Sequence, residues 1–559
     1  MAGRVGKIYQ QFAKERDMEN IHMHLEAISN GATPNSAGGV SFALDIWGRF
    51  QRFLILGSEG GSYYASEIVL TLENAQCVLE CMKSDGRRAV DLIVKISDAG
   101  WAPKNDPALF SLAIAASYGD ELTKKYALEN LPKVARIATH LYIFVDHIQK
   151  MRGWGRGLRN AISMWYNTKD AEQLAVQLLK YRQRNGWSHR DVLRLASPKP
   201  ATEVHNALYR YVVSKDFGTR EVSRGENGGV IKTSTYSQIS SNLLPQVVKD
   251  FEAIQVETDI EKVVAMIASN RSLTWEMIPT EMLGQAQVWK ALLPNLPFTA
   301  MLRNLARMTA NGALKPLADE TSYVVKRLTN ELGIAKSRVH PIAILSALNT
   351  YRSGVGLKGS LSWEPIPEIV NALDSAFYKS FGNVVPTQKS TLLALDISGS
   401  MTCGEVAGVA GLTPRTASAA MALVTAHVEP RHAFVGFSHE LINLDINPRM
   451  RLDKVIDYLD NLPFGGTDCA LPMLHAAKND LKVETFVVYT DSETWFGNVH
   501  PWEALKMYRR KTGIPAKLVV VGMVANGFTI AEPSDSGMLD IVGFDTASPQ
   551  LIADFSMSS

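Results

Sequence analysis

The chain has 559 residues, 46% hydrophobic and 20% charged, an ordinary soluble composition too long for one core, so two to four domains are expected. No run of eighteen apolar residues occurs, and the N-terminal MAGRVGKIYQQFAKERDMEN lacks the apolar centre of a secretion signal; no membrane partner and a cytoplasmic location are expected. The formal net charge of +2 averages unlike parts: residues 386–559 carry −6, the rest +8, and residues 150–220 alone hold 14 basic against 5 acidic side chains, which points to a polyanion partner for the first part.

Residues 1–36 are polar, with one possible short helix, and read as a tail or docking arm. From 37 to 385 the text is helix after helix. NAQCVLECMKS, AVDLIVKISDAG, PALFSLAIAASYG, LPKVARIATHLYIFVDHIQK, GLRNAISMWYN and AEQLAVQLLKYRQRNG all place apolar residues at i, i+3 and i+4. Short connectors of Gly, Pro, Asn and Asp separate them, so stacked antiparallel helical hairpins are expected, without a fixed repeat length. Cys77 and Cys81 fall at helical i, i+4 spacing; with no Cys/His pair nearby to complete a metal set, core packing is the reading. Four cysteines are too few for a disulfide framework. KDFGTREVSRGENGGVIKTSTYSQISSN (215–242) reads as a long loop, and KSFGNVVPTQKS (379–390) as a linker.

Between 386 and 559 the pattern changes. STLLALDI, HAFVGFS, TFVVYTD and AKLVVVGMV are short apolar β-rich runs alternating with helical segments. That alternation predicts a parallel sheet covered on both faces, with ligands at the carboxyl ends of its strands. LLALDISGS then delivers Asp396, Ser398 and Ser400 to that edge. FGGTDCA adds Thr467 and VVYTDSE adds Asp491. This DxSxS…T…D order is similar to the metal-ion-dependent adhesion site of von Willebrand factor A-like domains. Two carboxylates and three hydroxyls suit a hard divalent ion, Mg²⁺ first, which takes six oxygens and keeps water. DISGS alone could be only a strand-to-helix turn. A serine nucleophile lacks a GxSxG elbow, and a dinucleotide site lacks GxGxxG; a non-enzymatic chain is expected. Cys403 and Cys469 read as small filling near strand ends, and His439 as a surface residue.

The densest cationic stretch, MRGWGRGLRNAISMWYN and LLKYRQRNGWSHRDVLRLASPKP, holds Arg156, Arg159, Lys180, Arg182, Arg184 and Arg190 among aromatic rings. Cations neutralise phosphates, and aromatic or guanidinium planes stack on unpaired bases. Near-helical spacing of Trp154, Trp165 and Tyr166 favours packing. Arg182, Arg184 and His189 flank Asn185-Gly186 just past a helix end and are the better contact candidates.

The motifs LGSEGGSYYASE (56–67), GWGRGLRNAISMWYN (153–167), KYRQRNGWSHRDVLRLASPKP (180–200), MLRNLARMT (301–309) and RVHPIAILSALNTYRSGVGLKG (338–359) resemble the sixty-kilodalton Ro autoantigen family. So do FGGTDCALPM, YTDSETWFGNVHP and NGFTIAEPSDSGMLDIVGFDT; the run DISGSMTCGEVAGVAGLTP is more like bacterial or phage-borne members. The resemblance implies a TROVE module (37–385), a monomeric ring of HEAT-like helical hairpins, followed by an α/β doubly wound von Willebrand factor A-like domain (386–559). It implies a small noncoding Y-like RNA on an outer basic patch and single-stranded 3′ ends of misfolded RNA in a basic central hole. It also implies polynucleotide phosphorylase as a nuclease tethered through the RNA. His189 matches the family's histidine associated with Y RNA binding, and Lys180, Arg182 and Arg184 its basic surroundings. The competing reading is a metal-dependent protein-interaction or adhesion module with no RNA role.

Overall fold

A computed structural model of the chain describes residues 32–34, 40–56, 76–102, 104–214, 223–224, 230–231, 241–337, 339–356, 360–381, 386–404, 406, 412–462, 465–492, 494–524, 528–543 and 548–557. The tail before residue 32, residues 57–67 and most of the 215–242 loop lie outside the described residues. Two short strands, β1 (Thr33–Pro34) and β2 (Val40–Ala43), pair antiparallel and lead into the first helix, Ile46–Leu56.

The helical half is built as the periodicity demands. Helix Asp106–Tyr118 (DPALFSLAIAASY) is apolar all round, and ten of its residues are buried, because it lies between Gln76–Ala99 and Ala138–Met151. NAQCVLECMKS and AVDLIVKISDAG, read as two helices, are two helical segments within Gln76–Ala99 parted at Asp85 (φ −156°, ψ 93°), whose carboxylate accepts from the Arg88 amide and starts the second. Cys77 and Cys81 are buried free thiols; burial first of all pushes them up, to about 11 and about 12, so they pack as small hydrophobes. Further on, β3 (Gln183–Arg184) and β4 (Trp187–Ser188) make a two-residue hairpin, and β5 (Ser223–Arg224) pairs with β6 (Val230–Ile231).

The array closes on itself. His340, at the start of helix Pro341–Ser353, donates from Nε2 to the Trp101 carbonyl at 2.9 Å while its Nδ1 caps the Ile342 amide at 3.1 Å. Trp101 sits just past the second helix of the array, 239 residues earlier in the chain.

The second domain is built on β7 (Thr391–Asp396), β8 (His432–Phe437), β9 (Leu441–Asn443), β10 (Thr485–Thr490), β11 (Lys517–Gly522), β12 (Phe528–Thr529) and β13 (Met538–Val542). All but β12 join in one six-stranded sheet, in the order β13-β11-β10-β7-β8-β9. Its neighbours are parallel except at the edge strand β9. Every residue of β7 is buried: Leu393 and Leu395 face the core shared with the helical half, Leu392 and Ala394 the core on the other side. Among the described residues no helix is long and apolar enough to cross a membrane.

Contacts at both ends knit the halves. β2 pairs with β12 of the second domain, and Phe42 is buried in that domain's core. Arg52 of the first helix makes a two-pronged ion pair with Asp540 on β13 (2.5 and 2.7 Å) and donates to the Phe528 carbonyl at 2.9 Å. At the far end Asp453 takes Arg352 at 3.0 Å and Arg451 at 3.1 Å, and Tyr378 stacks on His427 with ring centroids 4.2 Å apart.

Candidate metal centre and nucleic-acid interface

Strand order reverses beside β7: the chain leaves it toward β8 and later returns on the other side as β10. The carboxyl ends of β7 and β10 therefore flank the switch point where a doubly wound sheet opens a crevice. Asp396 is the last residue of β7, and the β10 register sets Tyr489 against Leu395, so Thr490 falls beside Asp396. The Thr490 hydroxyl donates to one Asp396 oxygen at 2.7 Å; the Ser398 amide donates to the other at 2.9 Å. The Ser398 and Ser400 hydroxyls lie 3.0 Å apart. Asp396, Ser398, Ser400, Thr467 and Asp491 are all buried, at most 3% exposed.

That burial has an electrostatic consequence. Desolvation first, then the facing Asp491 carboxylate, push Asp396 up to about 7, against the pull of its hydrogen bonds from Ser398 and Thr490. The facing Asp396 and Asp491 carboxylates with the adjoining Ser398 and Ser400 hydroxyls form an all-oxygen donor set that a hard divalent cation would relieve of like-charge repulsion. Among the described residues no group of three His, Cys, Asp or Glu side chains forms a metal set, so an ion here would complete its shell with hydroxyl and water oxygens. The set fits Mg²⁺.

Residues that sequence reasoning passed over hold this pocket in place. Arg415, 3% exposed at the start of helix Pro414–Val428, donates to the Ile397 and Ser398 carbonyls at 2.5 and 3.2 Å and fixes the DxSxS turn. The Thr467 carbonyl accepts the Trp495 and Phe496 amides, both at 3.0 Å, so the 494–497 loop rides on the 465–468 loop. Gly465 and Gly466 allow that approach: a Cβ on Gly465 would stand 2.0 Å from the His439 ring, and one on Gly466 3.0 Å from Trp495. His439 itself is exposed. Asp468, buried and pushed up to about 7 by that burial, caps the Ala470 amide. Cys469 is fully buried against Thr490 and fills space beside the pocket. Ser492, left-handed at φ 62°, offers its carbonyl to the Ser41 hydroxyl of β2 at 2.8 Å, so the N-terminal strand reaches the residue next to Asp491. Thr490, adjacent to Asp491 in VVYTDSE, was the one visible signal; the others are set by distant packing.

The basic segment divides. Arg156 and Arg159 are exposed on helix Arg156–Asn167. Arg182 is exposed with its guanidinium 5.2 Å above the Phe251 ring, and Arg184 is exposed on β3. Asn185 (φ 51°) and Gly186 (φ 75°) supply the two left-handed residues that a tight hairpin needs, and so project Arg184 outward. Arg190 is half-buried.

Lys180 and His189, both expected to face a ligand, stand elsewhere. Lys180 is paired with Glu276 at 3.3 Å, both side chains about 15% exposed, because the 276 segment packs against the end of its helix. His189 is 1% exposed: its Nδ1 meets the Tyr166 hydroxyl at 2.8 Å, its Nε2 the Gln177 carbonyl at 3.2 Å, and Tyr142 and Tyr166 rings abut it. Desolvation holds it neutral, its pKa pushed down to about 3. The ring is closed off from any ligand arriving through solvent. Trp165 and Tyr166 are fully buried, as their spacing suggested.

Comparison with known proteins follows the same division. A family model described as the TROVE domain matches residues 33–353, and one described as the Ro60 vWA domain matches residues 390–556. The chain is 37% identical over 597 aligned positions to "RNA-binding protein RO60" of Caenorhabditis elegans, covering 96% of this chain and 92% of that one. It is 38% identical over 532 positions to the protein of the same name from Deinococcus radiodurans, covering 95% and 96%. The crystal structure of Deinococcus radiodurans RO (RSR) protein superposes with a TM-score of 0.68 at 37% identity, covering 92% of this chain and 99% of that one.

Proposed function

This chain belongs to the Ro60 family, and on that premise we propose that it is a non-catalytic RNA-binding scaffold. The observation that carries the reading is the exposed guanidinium group of Arg156, Arg159, Arg182 and Arg184, two of them on and beside a hairpin that projects from the helical array. Four exposed cations on a rigid frame suit the phosphates of a small structured noncoding RNA of the Y type. The more acidic second domain is a poor surface for the same ligand. Unpaired 3′ ends of misfolded RNA would occupy the interior of the closed array, and a nuclease such as polynucleotide phosphorylase would be brought in through the bound RNA.

Binding of a structured small RNA to the full chain should weaken steeply with salt. Arg182→Ala with Arg184→Ala should lower affinity, reduce the slope of log affinity on log salt by about 2, and leave the unfolding midpoint within experimental scatter. A flat salt dependence of the unaltered protein would instead favour a protein-interaction module.

We further propose that Asp396, Ser398, Ser400, Thr467 and Asp491 hold a divalent cation, Mg²⁺ by the oxygen-only donor set, which would supply an open coordination position for an anionic oxygen of a partner. Mg²⁺ at a hundred times its dissociation constant should stabilise the fold by about 2.7 kcal/mol. Asp396→Asn should abolish that response and, in chelator, should melt above the unaltered protein, because it removes one of two facing charges. A melting temperature of the unaltered protein insensitive to Mg²⁺ would refute the assignment.

A further inference from the structure

The tip of the β3–β4 hairpin carries a chemistry that phosphate contact does not use. Its two turn residues, Asn185 and Gly186, are both exposed. Asparagine followed by glycine is open to intramolecular attack, because glycine has no side chain to shield its amide nitrogen from the asparagine side-chain carbonyl carbon. A Cβ on Gly186 would meet nothing within 4 Å. Among the described residues no hydrogen bond holds the Gly186 amide or the Asn185 side chain.

The other Asn-Gly pair among the described residues, Asn311-Gly312, is the built-in contrast. There the Gly312 amide donates to the Thr309 carbonyl at 3.0 Å, the Asn311 side-chain oxygen accepts the Ala313 amide at 3.1 Å, and the side-chain nitrogen is buried. Both reacting groups are held. The attack also requires the peptide after the asparagine to rotate. Asn311 caps helix Phe298–Ala310, whereas the β3–β4 ladder has two residue pairs, Gln183 with Ser188 and Arg184 with Trp187. Opening the hairpin tip therefore breaks few bonds. Asn30, Asn227 and Asn526 also precede glycine but lie outside the described residues.

We propose that Asn185 deamidates in the folded protein, and that the carboxylate it leaves beside Arg184 weakens the hold of the hairpin on phosphates. The Gly186 amide nitrogen gives its proton to hydroxide and bonds to the Asn185 side-chain carbonyl carbon. The bond from that carbon to the side-chain nitrogen breaks, the nitrogen takes a proton from water, and ammonia leaves. One water then opens the five-membered imide. Opening at the side-chain carbonyl gives aspartate; opening at the main-chain carbonyl gives isoaspartate, with the chain routed through the side chain. Nothing is oxidised or reduced. Aspartate suits the same left-handed turn and keeps the hairpin. Isoaspartate lengthens the backbone by one carbon and displaces Arg184. Either product adds one negative charge near neutral pH. A phosphate chain lying across Arg182 and Arg184 holds the tip shut, so the mark accumulates on copies that carry no RNA. The modification stands on the hairpin alone; its effect rests on the RNA-binding reading.

The test ages the full chain at mildly alkaline pH, with and without a structured small RNA, and follows the peptides containing Asn185 and Asn311 by mass. Asn185 should gain one mass unit in the native chain, and more slowly with RNA bound. Asn311 should convert only in denaturant. Asn185→Asp should bind the RNA about threefold more weakly than the fresh chain, with a salt slope lower by about 1. Asn185→Gly, which keeps a left-handed turn without the reactive amide, should hold its own starting affinity on ageing.

Native conversion of Asn185 no faster than that of Asn311 would overturn the site. Equal conversion with and without RNA would overturn the preference for RNA-free copies. Converted protein that binds as the fresh chain does, or an Asn185→Gly chain that loses affinity equally on ageing, would overturn the effect on binding. If the fresh chain takes no structured RNA, the RNA-binding reading falls, and the mass of the Asn185 peptide still decides the modification.

Discussion

His189→Ala is expected to cost the fold about 3 kcal/mol and to weaken RNA binding although it removes no surface charge. The ring is 1% exposed and makes two hydrogen bonds. Its neutral tautomer is set by them: Nε2–H donates to the Gln177 carbonyl, so Nδ1 accepts from the Tyr166 hydroxyl. Alanine leaves that fully buried hydroxyl without its acceptor, worth about 1–3 kcal/mol. It also opens a void between Tyr142 and Tyr166 that adds on the order of 1 kcal/mol.

The Gln177 bond fastens the last turn of helix Ala171–Lys180 to the first residue of helix His189–Ala196, the Tyr166 bond ties that residue to helix Arg156–Asn167, and the hairpin bearing Arg184 is the chain between the first two. Tyr142 adds a third tie, donating to the Tyr181 carbonyl at 2.9 Å. Loosening this frame lets the hairpin move, so RNA affinity falls through geometry.

The pH profile offers a separate reading. A ring with pKa about 3 in the fold and about 6.5 unfolded stays neutral in the native state. As pH falls from about 6.5 toward 3 the unfolded chain takes a proton that the fold refuses, so stability falls. Each such proton is worth about 1.4 kcal/mol per pH unit. Urea unfolding of the variant between pH 6 and 4 should therefore have a shallower pH slope by about one proton. His140, pushed down to about 4 mainly by burial, keeps its own contribution in both proteins. Unchanged stability with unchanged slope would show that the buried ring is not what holds the frame.

The contrast between His189 and its neighbours shows what a sequence can carry. Helical period and strand alternation were legible because they depend only on local spacing, and the facing of Asp396 and Asp491 because each stands at the carboxyl end of a strand whose place follows from topology. Whether His189 faces water was not legible. Its partners are Tyr166, 23 residues back, and Gln177, on the preceding helix, and a polar residue just after Asn-Gly looks exposed. Lys180 misled for the same reason, since Glu276 is 96 positions away. VSFA at 40–43 has strand character, but only its pairing with Phe528–Thr529 tells that it reaches across to the other domain. Arg415 reads as an ordinary first-turn residue until its helix is seen to start against the DxSxS turn. The error in each case is one of long-range packing, which spacing does not encode.

Arg52→Met should be the most damaging single change at the junction of the two halves, at about 3–5 kcal/mol. Arg52 looks like a polar-face residue in IWGRFQRFLIL, yet its side chain is 2% exposed and Asp540 beneath it 14%. Burial raises the Asp540 carboxyl against the pull of Arg52 and a Thr529 hydrogen bond. Methionine fills most of the volume but strands the carboxylate and strips the Phe528 carbonyl of a donor, and removing one partner of a buried pair costs far more than the pair contributes. The loss falls on β12 and β13 together, and through β12 on β2, the strand whose Ser41 hydroxyl reaches Ser492 beside Asp491. Two consequences separate this from a general core defect. The double variant Arg52→Met, Asp540→Leu leaves no charge unpaired and should recover most of the loss. The single variant should also broaden the calorimetric transition, since the clasp of the helical half on the sheet is released while the core the two halves share stays packed. If Arg52→Met melted in an unbroadened transition at the unaltered temperature, the Arg352–Asp453–Arg451 group and the Tyr378–His427 stack at the other junction would have to be what holds the halves together.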